Sequence, residues 1–179
     1  PLPPYGGSKR PTSGASSSIR EVTPVIARHL ELRIPPVLLT LLFALLIWLT
    51  SLWSPAMVLH EQARLVFTVI LVSLGALIAI SGVVSFRRAK TTVNPTRPDT
   101  SSSLVTTGIY KLTRNPMYLG LLIMLVAWST FLSNFYGLVL CLVYVLYLNR
   151  FQIQPEERAM QSSFGVDYSD YKTRVRRWL

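Results

Sequence analysis

The chain has 179 residues, half of them hydrophobic, with 18 Lys and Arg against eight Asp and Glu and a formal net charge of +10. A soluble domain of this length seldom reads so apolar, so a membrane protein is the first expectation. The basic excess does not point to nucleic acid: the Lys and Arg border apolar blocks, where topology and anionic headgroups account for them, and no nucleic-acid motif accompanies them.

In chain order, residues 1–18 lie in "PLPPYGGSKRPTSGASSSIREV", rich in Pro, Gly and Ser, and are expected to be disordered. The first residue is Pro rather than Met, which suggests processing, truncation or a tag remnant, and the layout of a cleavable signal peptide is missing. Residues 19–33 suit a short juxtamembrane helix broken at Pro24. Residues 34–86 are then expected to hold two transmembrane helices. Residues 34–59 contain no charge and no His, and residues 65–86 again contain no charge. A crossing needs about 20 such residues, so each block holds one helix. "IPP" opens the first, where Pro is tolerated, and Pro55 ends it. Both helices read as scaffold. Ser73, Gly75, Ala76 and Ala79 are small enough for close helix packing, inside the chain or in a homodimer.

Residues 87–179 form the half expected to be catalytic. Thirty-five residues without a charge separate Arg114 from Arg150. As one helix they would span about 52 Å against a hydrocarbon core of about 30 Å, so they must fold back. Ser133-Asn134, followed by Gly137, is the best turn. The fold class expected is an all-α integral membrane protein with four transmembrane helices near 35–54, 64–86, 116–132 and 135–153. Charge supports the count: the segment before the first helix, the connection 87–115 and the tail hold every Lys and Arg but Arg64. Four crossings put those three segments on one face, which the positive-inside rule makes cytoplasmic, with both termini there. His29 and His60 then lie on opposite faces and Cys141 stands alone mid-helix, so no metal site is expected.

The connection 87–115 is long, and its Leu104, Val105, Ile109, Tyr110 and Leu112 suit a segment folded against the membrane face rather than a free tether. In the tail, Pro155-Glu156-Glu157 suits the first turn of a helix, and Gly165 interrupts it. Tyr168, Tyr171 and Val175 recur at helical spacing opposite Lys172, Arg174, Arg176 and Arg177, as in an amphipathic helix on the headgroups.

The chemistry-bearing residues meet at the start of the third helix, in "TRNPMYLG". Pro116 in a first turn leaves free backbone N–H groups, Arg114 adds a two-pronged donor for a carboxylate or phosphate, and Gly120 lets a ligand or a neighbouring helix approach. If the third and fourth helices form an antiparallel hairpin, Glu156 and Glu157 return beside Arg114. The arrangement is either an anion receptor with two carboxylates around one membrane-edge cavity, or a topological ion pair between Arg114 and Glu156.

"GIYKLTRNPMYLG" and "PEERAMQSSFGVDYSDYKTRVRRW", with "TTVNP" before them, resemble the isoprenylcysteine carboxyl methyltransferase and phospholipid methyltransferase superfamily. Asn115 stands where the eukaryotic pattern usually has His, as in bacterial members. The resemblance implies an integral-membrane enzyme that uses S-adenosylmethionine without a Rossmann domain, the cofactor pocket being built from the cytoplasmic loop, the start of the third helix and the C-terminal helix. It implies catalytic roles for Arg114, Tyr118 and Glu156, and cofactor contacts for Gly108, Tyr110, Asn115, Pro116, Met117, Gly120 and Glu157. Phe164, Gly165, Tyr168 and Tyr171 match the tail pattern, as lid or contact. The expected reaction is methyl transfer to a hydrophobic or lipid-linked carboxylate, amine or thiol, with membrane lipids as surroundings and no nucleic acid. A small thiol or amine acceptor, a non-catalytic scaffold or carrier and a sterol reductase are the competing readings.

Overall fold

The computed structural model describes residues 31–32, 34–55, 57, 60–89 and 104–179. The segment 1–18, nearly all of 19–33 and "TTVNP" lie outside the described residues. The described residues are helical, with no strand.

Helix α1 is Pro36–Ser51, opened by the Pro35-Pro36 pair. It stops short of the expected residue 54 because Leu52 and Trp53 bond back to the carbonyls of Leu49 and Thr50, three residues behind, which tightens the last turn. Helix α2 is Glu61–Arg88, with its acid in the first turn and Arg87 and Arg88 in the last, as the helix dipole favours. A 3-10 turn, Gly108–Lys111, precedes α3, Pro116–Phe131. The chain reverses at Ser133, whose φ is +52°, and helix α4 runs over Phe135–Leu148. A π-helical turn, Asn149–Ile153, then joins α4 to α5, Gln154–Arg174, without a break. The first turn of α5 is therefore no free helix start, contrary to expectation. Pro155 has no N–H for the carbonyl of Phe151, and the backbone N–H of Leu32 takes that carbonyl instead, at 3.1 Å.

Among the described residues, two helices are long and apolar enough to cross a membrane: α2, and the continuous run Phe135–Arg174. Helices α1 and α3 are shorter apolar helices of 16 residues each, about 24 Å long. Only 11 % of the most apolar stretch of α2 is buried, so it is no core helix of a soluble protein. Its Val66, Phe67, Ile70, Leu77 and Ile80 face outward, as do Leu38, Leu41 and Leu45 of α1 and Leu142 and Leu146 of α4. A belt of that kind needs an apolar solvent.

The inner faces pack in one cluster. Leu39, Phe43 and Ile47, four apart on α1, meet Leu125 of α3 and Cys141, Tyr144 and Leu148 of α4. Lipid tails are as apolar as these side chains, so specific contacts carry much of the cohesion, at roughly 0.6 kcal/mol per interhelical hydrogen bond. Thr40 Oγ1 and the Tyr144 hydroxyl share one at 2.8 Å. Trp128 Nε1 donates to the Ala44 carbonyl, and Asn134 Nδ2 donates to the Ile47 carbonyl and Thr50 Oγ1. Between α2 and α3 the contact is backbone on backbone. A Cβ on Gly120 would stand 2.5 Å from the Gly75 carbonyl oxygen and 2.8 Å from the Cβ of Ala79. The small face of α2 around Gly75 and Ala79 is thus spent inside the chain.

A second cluster lies at the other end of α3. Tyr168, Tyr171 and Val175 bury against Val105 and Tyr110, with Phe86, Leu104, Ile109, Met160 and Phe164 around them. The apolar face of the tail helix therefore covers the connecting loop, rather than lying on headgroups as expected. The helix can turn to do so because Gly165 breaks it, with φ +50° and ψ −116°.

Candidate active site at the start of helix α3

Arg114 precedes the Pro116 start of α3 and, together with Tyr118 in its first turn, faces the first turn of α5. The α3–α4 hairpin brings the glutamate pair back to them, as the reversal near Asn134 requires. Each glutamate has its own partners. Tyr118 donates its hydroxyl hydrogen bond to Glu156 Oε1. Arg114 Nη1 stands 3.2 Å from Glu157 Oε1, so the ion pair forms with Glu157 and not with Glu156. Arg177, from the C-terminus, grips the same carboxylate with two bonds, Nε to Oε1 at 3.1 Å and Nη2 to Oε2 at 2.6 Å.

Glu156 keeps a little exposed surface, but burial of its carboxyl pushes it up to about 8, with the neighbouring Glu157 adding to the rise and the Tyr118 hydrogen bond opposing it. It therefore exists in both protonation states near neutral pH. Burial raises the Tyr110 and Tyr171 phenols far above their ordinary value, so both stay neutral. Tyr168 is pushed up to about 12, mainly by burial and by Glu157, while the adjacent Arg114 opposes the rise.

The other residues expected at the site are placed as follows. Gly108 sits in the 3-10 turn at φ +63°, against Ser85 of α2. Tyr110 is buried, stacks edge-on with Phe86 at 5.3 Å, and accepts a 2.7 Å bond at its carbonyl from the Tyr171 hydroxyl. Asn115 turns to the C-terminus, its Nδ2 donating to the Arg177 carbonyl at 2.9 Å. Pro116 and Met117 lie against Gly82 of α2, and Gly120 meets Gly75 and Ala79. Glu156, Tyr118, Arg114 and Glu157 are thus drawn together, with Asn115 behind them, while Met117 and Gly120 face a neighbouring helix. An open depression lined by Gln154, Glu157, Arg158, Gln161 and Lys172 lies on the outer side of Glu157.

Sequence reasoning missed Arg177, which it placed in the outward basic set, and Thr113, which is buried and donates to the Arg177 carbonyl at 3.2 Å. It also missed Trp178, which donates to Asn149 Oδ1 at 3.0 Å and so pins the C-terminus to the α4–α5 junction. The one signal was the closing "RRW", two cations and an amphipathic ring after the last helical residue.

Comparison with known proteins covers most of these elements. A family model described as phospholipid methyltransferase matches residues 63–167, well over half of the chain. An uncharacterized protein of Haemophilus influenzae is 44% identical over 63 residues, which is 35% of this chain and the whole length of that relative. No solved structure matches.

Proposed function

The chain belongs to the phospholipid methyltransferase family, and on that premise we propose that it transfers the methyl group of S-adenosylmethionine to a lipidic acceptor at the cytoplasmic membrane face. The observation that carries the reading is the pairing of Tyr118 with Glu156 beside a partly buried Arg114, whose Nε and Nη1 make no hydrogen bond among the described residues although Nη1 lies 3.2 Å from Glu157 Oε1.

Those groups fit the cofactor's chemistry. Its amino-acid end carries a carboxylate, which suits the open donors of Arg114. Its cationic sulfonium and ammonium suit an aromatic face and a carboxylate, which Tyr118 and Glu156 supply. When bound, the cofactor provides a methyl carbon from which a neutral thioether departs. The residues contribute position and dryness: α3 and α5 hold the site beneath the Tyr110, Tyr168 and Tyr171 cluster, which keeps water from the reacting atoms. A primary or secondary amine acceptor gains a positive charge on methylation and then sheds a proton, whereas a tertiary amine has none to shed. Glu156, held near neutrality by burial and hydrogen-bonded by Tyr118, is the base that takes that proton. A carboxylate or thiolate acceptor needs no base. The acceptor enters sideways from the inner leaflet, because the site stands at the edge of the apolar helices.

Calorimetric titration of the purified chain in nanodiscs is the test. S-adenosylmethionine is expected to bind, and Arg114→Ala and Glu156→Ala are each expected to weaken it by about tenfold or more, the loss of one charge-assisted contact. Failure of the wild type to bind in detergent and in nanodiscs alike sinks the proposal.

A further inference from the structure

Residues 175–179 form a strap across the start of α3, beyond the stretch that the family comparison covers. Its backbone is held from below: Arg114 N–H donates to the Arg176 carbonyl at 3.0 Å, and Thr113 and Asn115 donate to the Arg177 carbonyl. The Trp178 ring anchors its far side on Asn149. The strap thus has backbone and ring anchors besides the Arg177 side chain, which leaves the grip of Arg177 on Glu157 room for a second role.

Charge gives one. Arg114 and Arg177 share the single carboxylate of Glu157, so whenever Glu156 is protonated the cluster holds one positive charge too many in a partly buried place. The sharing is unequal. Arg177 forms a two-bond fork on both oxygens, whereas Arg114 approaches Oε1 off-axis and leaves Nε and Nη1 buried without hydrogen-bond acceptors. Buried donors of a charged group are seldom left so. Without Arg177, Glu157 is free to swing onto Arg114 in a fork of its own, which would fill those donors and cancel the charge.

The geometry points to Arg177 as a positioning residue: by occupying both oxygens of Glu157, it keeps the Arg114 guanidinium open for the carboxylate end of the methyl donor. This rests on the cofactor assignment proposed above, and goes beyond it by naming what prepares the seat.

The test uses the full chain in nanodiscs and two probes, S-adenosylhomocysteine, which has the amino-acid end, and methylthioadenosine, which lacks it. Arg177→Ala is expected to weaken S-adenosylhomocysteine about tenfold and to leave methylthioadenosine within about twofold of wild type. Arg177→Lys, a point charge without the planar fork, is expected to fall between. Adding Glu157→Gln to Arg177→Ala is expected to restore most of the affinity, because a neutral amide cannot hold Arg114 as a carboxylate does. That rescue decides the matter on S-adenosylhomocysteine alone, since a strap that had merely come loose would not be repaired by it. Equal loss of both probes without rescue, or no change in Arg177→Ala, overturns the role while leaving the cofactor assignment standing. A wild-type chain that binds neither probe removes that assignment, and the positioning role with it.

Discussion

Glu156 and Glu157 are adjacent, yet one serves a tyrosine and the other two arginines. Successive residues of a helix point about 100° apart, so a pair at its first turn serves two sides of the same hollow. Their titration differs in consequence. The carboxyl of Glu156 is raised from 4.5 to about 8 in the fold. Between those values the folded chain keeps a proton that the unfolded chain has released, so stability falls as pH rises through that window and levels above it, by up to about 1.4 kcal/mol per pH unit. Thermal midpoints in detergent, taken from pH 5 to about 8.5, should therefore decline for wild type and stay flatter for Glu156→Gln, which carries no titrating proton. An equal slope in both would show that another group sets the trend. The sequence made Arg114 and the glutamate pair readable as the two ends of one hairpin. It could not show which glutamate meets Arg114, because the π turn at Asn149–Ile153 rotates α5 relative to the straight continuation of α4.

Helix boundaries were legible wherever composition changes abruptly. Pro35-Pro36 and Asn115-Pro116 open α1 and α3, and Ser133-Asn134 turns the chain, each close to where Pro and turn chemistry place them. What a helix packs against was less legible. Gly75, Ala79 and Gly120 read as small residues without a stated partner, and only their register across α2 and α3 reveals that they face each other. A methyl at Gly120 has nowhere to go, since the nearest atoms are the Gly75 carbonyl oxygen and the Cβ and N of Ala79, none of them the end of a flexible side chain. Gly120→Ala should force α2 and α3 apart and cost about 1–3 kcal/mol. A lowered thermal midpoint for Gly120→Ala, with Gly165→Ala as a comparison where no atom lies within 4 Å and the strain is in the backbone alone, checks this. The tail helix shows the same limit of pattern reading. Its apolar spacing at Tyr168, Tyr171 and Val175 was visible, but a stripe of that kind fits a lipid surface and a folded loop equally well, and the loop is what it covers.

At the scale of the molecule, the described segments fall into two ends. The Met57 N–H donates to the Ser133 carbonyl at 2.8 Å and Arg64 Nη1 donates to Ser133 Oγ, so the α1–α2 connection and the α3–α4 turn share one end. Leu32 bonds to Phe151, Arg150 and Arg158 hold Glu31, and Arg177 holds Glu157 at the other. Apart from Arg64, every described Lys and Arg belongs to the second end, which is the distribution that the positive-inside rule assigns to the cytoplasmic face. Length alone speaks for only two crossings, by α2 and by the run that begins with α4. Charge and the antiparallel arrangement speak for four, with α1 and α3 spanning a hydrocarbon layer thinned or tilted to meet them. The two arrangements differ in where α3 leaves the chain. Four crossings put Trp53 and Phe135 on one side of the membrane and Leu112 and Arg158 on the other, whereas two crossings put Leu112 and Phe135 on the same side. All four positions are exposed, and Cys141 is buried. Single cysteines at those positions in a Cys141→Ser background, probed with an impermeant maleimide in sealed vesicles of each orientation, should label in the alternating pattern. Leu112→Cys and Phe135→Cys reacting from the same side would remove α3 from the membrane. The apolar path by which a lipidic acceptor reaches Tyr118 would be lost with it.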